Sequence, residues 1–250
     1  MKRMITVAAL SAGLLLLLRS ILVPDSPLAA DTPSPTKVYG EWRIRIRPDR
    51  GTEYSRLIQD KGLPLFREAG GRMVGWWTTL MGDLYEHVTI WEYDGMPAFE
   101  KAVGLLGKDE RFHKFAALRD PLLSGEDSRF LRLLRFSERP PLSSNAKFVV
   151  HEIHQVPLGR LGAYFKNAEE MIAIFKKNGF KLAGPFQSAV GKSSEITYLF
   201  FYESLSERDS RLAALASSAD GQKLDRLLGE TVEDVTTRLL LPASFTQSSQ

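Results

Sequence analysis

The sequence predicts an α+β fold in which two tandem units of the same topology pack sheet to sheet as one barrel within the chain. The first observation is a repeat, because Glu41 and Glu152 each open a predicted strand and lie 111 residues apart. The same offset of 111 aligns the strand end Trp91–Asp94 of the first repeat with Tyr202–Leu205 of the second. Solenoid repeats have periods of about 20–50 residues, so this longer spacing indicates a duplicated domain. The second observation is that both halves alternate between strand and helix patterns in the same order.

The first unit is predicted to run strand, helix, strand, strand, helix, strand. Alternation of apolar and charged residues from Val38 to Arg47 indicates a strand with two different faces. Helical spacing begins at Thr52, where Pro64 is expected to bend the helix and Gly70 to end it. The predicted strands are 38–47, 73–80, 84–93 and 129–136, and the later helices are 97–106 and 110–123.

The second unit repeats this order, which is that of a ferredoxin-like fold. Apolar residues from Leu161 to Phe175 recur at helical spacing, and Asn178-Gly179 is expected to end that helix. A sheet with helices on one face must bury its other face, so we expect the first and third strands of each unit to be central and to line a shared interior. The predicted strands are 148–156, 180–190, 196–203 and 235–241, and the later helices are 207–217 and 221–228.

The N-terminus has the pattern of an export signal. Lys2 and Arg3 precede an apolar run of 14 residues from Ile5 to Leu18, and small residues follow before Asp31. The run is shorter than the roughly 20 residues of a membrane span. We therefore expect residues 1–30 to be removed, the protein to be periplasmic or secreted, and no stable membrane span to remain; an uncleaved anchor is the alternative.

Composition narrows the classes of function. The chain contains no cysteine, which excludes disulfides, thiolate metal sites and a cysteine nucleophile. Its 33 basic and 30 acidic side chains become 30 and 29 once the leader's three basic residues and one acidic residue are removed, so its charge does not favour a nucleic-acid partner. The predicted segments are a linker at 31–37, units at 38–137 and 147–242, a linker at 138–146 and a flexible tail at 243–250.

Four segments of the first unit resemble the NIPSNAP family. They are Gly62–Leu65, Gly75–Gly82, His87–Asp94 and Arg129–Ser137, and the strand end Trp-Glu-Tyr-Asp at 91–94 is the most specific of them. The resemblance covers residues 38–137, and the second unit resembles a diverged second copy.

The resemblance implies the dimeric α+β barrel superfold, which also includes haem-degrading and antibiotic-synthesis monooxygenases and small stress proteins. It implies no particular reaction, since one fold supports many functions. Familiar members of the family are found at mitochondria and interact with other proteins. The export leader of this chain argues against carrying the mitochondrial location over.

The candidate ligand site is the face of the central strands that is expected to line the barrel. Arginine side chains among aromatic walls would suit a planar or anionic ligand. The alternative is that Glu41–Arg43 and Glu152–His154 only neutralise each other between the sheets. The candidate residues are Glu41, Arg43, Arg45, His87, Trp91 and Tyr93 in the first unit, and Glu152, His154, Tyr198 and Tyr202 in the second.

The preferred hypothesis for function is binding, either of a small aromatic or anionic ligand or of a protein partner. A monooxygenase, haem-dependent or cofactor-independent, is the alternative. We expect no cofactor, although His87 is a conceivable haem ligand, and a homodimer is a further assembly to test. No metal site is expected, because His151 and His154 are three residues apart on a strand and should point to opposite faces.

Overall fold

The computed structural model describes residues 37–141 and 146–247, and within these ranges eight strands close into one barrel. The predicted leader, all but the last residue of the linker 31–37 and residues 142–145 of the second linker lie outside the described residues. The strands are β1 (Val38–Ile46), β2 (Arg72–Met81), β3 (Glu86–Tyr93), β4 (Leu123–Glu138), β5 (Phe148–Gln155), β6 (Lys181–Val190), β7 (Glu195–Tyr202) and β8 (Asp234–Pro242).

The strand order around the barrel is β1-β3-β2-β8-β5-β7-β6-β4. The first and third strands of each unit are central, as the sequence predicts, because the orders within the two units are β4-β1-β3-β2 and β8-β5-β7-β6. The two units join edge to edge where β2 pairs with β8 and β4 pairs with β6. The predicted fold class, two ferredoxin-like units forming one barrel within the chain, is confirmed.

The helices cover the outside of each sheet. The first predicted helix is divided by a π-helical turn at Ile58–Gly62, which ends two residues before Pro64 and agrees with the expected disruption by proline. Side-chain caps begin three helices, at Asp109, Ser204 and Ser218. The helices are α1 (Gly51–Leu57), α2 (Leu63–Glu68), α3 (Met96–Leu106), α4 (Glu110–Arg119), α5 (Leu161–Lys177), α6 (Leu205–Ala216), α7 (Ala219–Thr231) and α8 (Ser244–Gln247).

Three clusters of buried apolar side chains show which face of each strand packs against the helices and which face lines the barrel interior. One cluster lies between sheet and helices in the first unit and includes Trp76 and Trp91, and a second lies between sheet and helices in the second unit and includes Tyr164 and Tyr198. The third cluster combines residues of both units and fills part of the barrel interior. Its largest members are Tyr39, Trp77, Leu131, Phe186 and Phe201.

Two predicted boundaries differ most from the structure. Strand β4 begins at Leu123 rather than at 129, because pairing with β1 extends it through a polar stretch that lacks a strand-like pattern. The prediction that the tail 243–250 is flexible is wrong for its first residues. Phe245 in α8 is buried, and its ring lies 5.5 Å from that of Trp76, so α8 closes the core of the first unit.

Across residues 37–141 and 146–247 no helix is long and apolar enough to span a membrane. In the same ranges no group of three or more histidine, aspartate or glutamate side chains is arranged to hold a metal ion.

Candidate functional site

Glu41 lies at the centre of a charged cluster inside the barrel. Its side chain is fully buried, and it accepts two hydrogen bonds from Arg129, from Nε at 2.9 Å and from Nη2 at 3.1 Å. On its other side, Nε2 of His151 lies 3.1 Å from its Oε2. Glu41 and Arg129 are direct cross-strand neighbours on β1 and β4, whereas His151 reaches them from β5 of the other unit.

The electrostatics of this cluster follow from burial and pairing. Burial alone would raise the pKa of Glu41, but Arg129 and His151 hold it well below its usual range. Burial lowers the pKa of His151 despite the neighbouring carboxylate, so the imidazole is neutral at pH 7. A neutral His151 that faces a carboxylate through Nε2 must carry its proton there and donate it to Glu41.

Arg129 forms hydrogen bonds through all three of its guanidinium nitrogens. Besides its two bonds to Glu41, it donates from Nη1 to Glu195 at 2.6 Å and from Nη2 to the hydroxyl of Thr197 at 2.8 Å. Glu195 and Thr197 belong to β7, so this single guanidinium joins the two units. Such a desolvated, multiply bonded ion pair is costly to break because each partner would be left buried and unpaired.

Arg238 is the counterpart of Arg129 in the second unit. Arg129 lies opposite Glu41 in the β1–β4 register, and Arg238 lies opposite His151 in the β5–β8 register. Glu86 lies beside Arg238 as Glu195 lies beside Arg129. Each glutamate is the first residue of the third strand in its own unit, and its arginine belongs to the opposite unit. The interior therefore has an approximate two-fold axis that exchanges the two arginines.

A cleft of about 390 Å³ opens at this end of the barrel, and we call it the arginine cleft. Its walls come from both units, and the turn between β6 and β7 contributes Gly191, whose φ of 112° suits a residue without a side chain. The lining residues are Arg43, Asp127, Ser128, Arg129, Ile153, Gln155, Gly191, Lys192, Glu195, Asp234, Thr236 and Arg238.

Three of the ten predicted site residues lie on the interior face as expected. Glu41 is in the charged cluster, and Arg43 lines the arginine cleft with its side chain 24% exposed. Arg45 lies further out, where it forms a half-exposed ion pair of 3.0 Å with Asp127 at the rim. The expected Glu41–Arg43 pair is weak, because Arg43 Nε is 3.9 Å from Glu41 Oε1 and the short bonds of Glu41 go to Arg129.

The predicted facing of His87, Trp91 and Tyr93 is wrong. All three point to the helix layer, where Trp91 and Tyr93 belong to the core of the first unit. His87 accepts a hydrogen bond from Trp76 Nε1 at 3.2 Å through its Nδ1. Every residue of β3 is buried, on one face of the sheet or the other. A strand without an exposed face gives no alternation in sequence by which its interior and helix-facing residues could be told apart.

The predicted facing of Glu152, His154, Tyr198 and Tyr202 is also wrong. They point to the helix layer of the second unit, where Tyr198 and Tyr202 are core residues. His154 lies between Glu152 Oε1, at 2.7 Å from Nε2, and the hydroxyl of Tyr164, at 2.8 Å from Nδ1. The predicted opposite facing of His151 and His154 is confirmed, since His151 contacts Glu41 inside the barrel.

The error in the second unit has a simple origin. The structural equivalent of Glu41 is His151, which lies 110 residues later, and not Glu152 at an offset of 111. On a strand a shift of one residue moves a side chain to the opposite face. An offset that aligns the two repeats over most of their length can therefore predict the wrong face for every side chain of one strand.

Sequence reasoning also missed five ionisable residues of the interior cluster: His151, Arg129, Arg238, Glu86 and Glu195. Arg129, Arg132 and Arg135 look alike in the sequence of β4, and only the pairing of Arg129 opposite Glu41 selects it. The recurrence of a glutamate at the start of both third strands, Glu86 and Glu195, was a signal that could have been read.

A sequence model of the NIPSNAP family matches residues 41–138 and again residues 152–247, together more than half of the chain. The chain belongs to the NIPSNAP family. Both NIPSNAP repeats coincide with the two ferredoxin-like units of the barrel, so the duplication predicted from the sequence is confirmed. The human protein NipSnap homolog 2 is 22% identical over 204 residues, which cover 79% of this chain and 70% of that protein.

Solved structures with the same fold include two proposed monooxygenases. The protein from Fusobacterium nucleatum has a TM-score of 0.64 at 11% identity, and covers 85% of this NIPSNAP chain and 94% of its own. The protein from Lactobacillus acidophilus has a TM-score of 0.59 at 10% identity, with 84% and 95% covered. At these identities the likeness establishes the barrel fold alone.

His87 should make stability depend on pH. Burial lowers its pKa from 6.5 to about 4, so between these pH values the unfolded chain binds a proton that the folded protein does not. The contribution of His87 to the free energy of unfolding is fully present above pH 6.5 and is lost as the pH falls to 4. The loss is roughly 3 kcal/mol, at 1.36 kcal/mol per pKa unit. Urea unfolding across this range should show a smaller loss for His87→Asn than for the unaltered protein.

The matched control is His113→Asn, because His113 is exposed on α4 and its Nε2 bonds the backbone carbonyl of Gly107. That variant should lose stability with falling pH as the unaltered protein does. Equal losses in all three proteins would show that His87 is not held neutral in the fold.

Proposed function

We propose that the protein binds a small anionic ligand in the arginine cleft. The observation that carries this is the state of Arg43, which lines the cleft and has, among residues 37–141 and 146–247, one ion-pair contact of 3.9 Å and no side-chain hydrogen bond. Arginine presents five donors in a fixed fork that matches a carboxylate or phosphate. A partly buried guanidinium left with this capacity is a natural anion receptor.

The size and lining of the cleft support the anionic part of the sequence hypothesis over the aromatic part. A volume of about 390 Å³ is near the lower end of the range of about 300–1,000 Å³ for small-molecule sites. The aromatic residues expected to wall the site, Trp91, Tyr93, Tyr198 and Tyr202, lie in the helix-facing cores instead. A compact polar anion fits these walls better than a planar aromatic compound.

The monooxygenase alternative draws its support from the fold shared with the two proposed monooxygenases. The residues do not fit a haem, because within the described residues no histidine lines the arginine cleft, and His87 packs under the helices. Much of the barrel interior is filled by Tyr39, Trp77, Phe186 and their neighbours, which leaves little room for a large substrate. A cofactor-independent oxygenase stays a hypothesis.

A protein partner also stays a hypothesis, and the turn between β2 and β3 is the surface that would suit one. Met81 at the end of β2 and Leu84 and Tyr85 in the turn are 65%, 65% and 57% exposed. Nothing in the structure shows what would cover them.

Calorimetric titration with succinate and with inorganic phosphate tests the ligand proposal. We expect at least one of these anions to bind, and Arg43→Ala to weaken its binding by about tenfold or more, as expected for a lost charge-assisted hydrogen bond. Because Arg43 has only the long contact to Glu41, the variant should keep its fold and lose about 1 kcal/mol of stability or less.

The control variant is Arg160→Ala, in which an exposed arginine that bonds the Glu230 carbonyl outside the cleft is removed. It should bind the anion as the unaltered protein does. The proposal fails if neither anion binds, or if the two variants bind it equally well.

A further inference from the structure

The environments of Arg129 and Arg238 differ although the two residues are equivalent by the two-fold axis. Arg129 has a carboxylate from Glu41, a hydroxyl from Thr197 and a second carboxylate from Glu195 as acceptors. Each of these three acceptors has a counterpart position beside Arg238. Comparison of the three positions shows which acceptors Arg238 lacks.

At the position equivalent to Glu41 the second unit has His151, which lies opposite Arg238 in the β5–β8 register. The imidazole directs Nε2 to Glu41 and offers Arg238 no carboxylate. At the position equivalent to Thr197 the first unit has Val88, because Thr197 pairs with Ile153 as Val88 pairs with Arg43. A valine side chain cannot accept a hydrogen bond, so two of the three acceptors are missing.

The third acceptor, Glu86, is present but poorly aligned. Its Oε1 lies 2.9 Å from Arg238 Nε, yet neither atom has hydrogen-bond geometry to any partner among the described residues. Burial raises the pKa of Glu86, which weakens it further as a counter-ion. Arg238 keeps one hydrogen bond, from Nη2 to the exposed Asp83 at 3.1 Å.

Arg238 is therefore a buried arginine with free donors on the wall of the arginine cleft. Its side chain is 7% exposed, and its Nη1 has no hydrogen-bond partner in residues 37–141 or 146–247. A buried donor without a partner destabilises the fold, and more so when it is charged. A ligand that supplied the missing acceptor would recover that free energy on binding.

We infer that Arg238 is the anchor of a carboxylate site in the arginine cleft, where the ligand supplies the kind of acceptor that Glu41 supplies to Arg129. The inference rests on the proposed function and specifies its ligand class as small carboxylic acids. With His rather than Glu at 151 and Val rather than Thr at 88, Arg238 lacks two of the acceptors that Arg129 has. Arg43, whose equivalent in the second unit is Ile153, adds a second positive charge to the same cleft.

Succinate titration of Arg238→Lys and Val88→Thr tests this assignment. Arg238→Lys keeps the charge but loses the planar fork, and we expect succinate affinity to fall by about tenfold or more. Val88→Thr is close in shape and restores the hydroxyl acceptor found at Thr197, so it should compete for Arg238 and weaken succinate several-fold. Melting curves check that each variant is folded.

Two controls match these changes. Arg72→Lys alters an arginine paired with Glu92 and Asp94 outside the cleft, and Val149→Thr adds a hydroxyl elsewhere in the apolar interior. Both should bind succinate with unchanged affinity. If Arg238→Lys does not fold, Val88→Thr alone decides, because it removes no charge.

The outcomes separate this inference from the proposed function. Succinate affinity that falls in both test variants and holds in both controls supports the carboxylate site. Succinate that binds equally to all variants, or phosphate that binds while succinate does not, overturns the role of Arg238 and leaves an anion site around Arg43. Failure of both anions to bind the unaltered protein overturns the proposed function as well.

Discussion

Replacing Arg129 by alanine is expected to lower the free energy of unfolding by about 3–5 kcal/mol, the usual range for breaking a buried ion pair. Glu41, which is fully buried, would lose the partner that holds its pKa down, and Glu195 would lose its bond of 2.6 Å. Urea unfolding at neutral pH measures the change. Arg50→Ala is the control, because its pairs with Asp49 and Glu53 are exposed and should be worth about 0–1 kcal/mol.

A second substitution shows whether the loss comes from stranded charge. Adding Glu41→Gln to Arg129→Ala removes the buried carboxylate as well, so the double variant should be more stable than Arg129→Ala alone. An Arg129→Ala protein no less stable than Arg50→Ala would mean that the cluster inside the barrel contributes nothing to the fold.

Separated halves of the chain are expected to be unable to fold as monomers. Each half alone would expose two strand edges that pair with the other unit in the barrel. These are the edges of β2 and β4 in the first half, and of β6 and β8 in the second. It would also expose its share of the mixed apolar cluster, including Leu131 in one half and Phe186 in the other. Unpaired edges and open apolar faces of this kind lead to association.

Fragments 31–140 and 143–250 test this expectation, with the full chain as control. Sedimentation of each fragment should show aggregates or self-association, and a mixture of the two should yield a folded complex with the melting behaviour of the barrel. A soluble, monomeric fragment that melts cooperatively would contradict a core shared between the units.

The sequence contained enough information for the topology but not for the site. Alternation in β1, the turn residues and the 111-residue repeat were local signals, and they predicted the element order and the central strands. They also placed Glu41 and Arg43 in the interior, because β1 shows a clear difference between its faces.

The other candidates were misplaced for two physical reasons. Strand β3 is buried on both faces, so His87 and Trp91 could not be assigned to either from their burial or polarity. In the second unit a one-residue change of offset brought His151, rather than Glu152, to the position of Glu41. Register between strands is set by pairing across the barrel, which the sequence of one strand does not record.

A crystal structure of the unaltered protein grown with succinate tests most directly whether the arginine cleft is a carboxylate site. We expect a succinate carboxylate oxygen within hydrogen-bond distance of Arg238 Nη1, with Arg43 turned toward the same ligand. Arg129 should keep its bonds to Glu41 and Glu195. An empty cleft at saturating succinate, or succinate bound only elsewhere, would contradict the assignment.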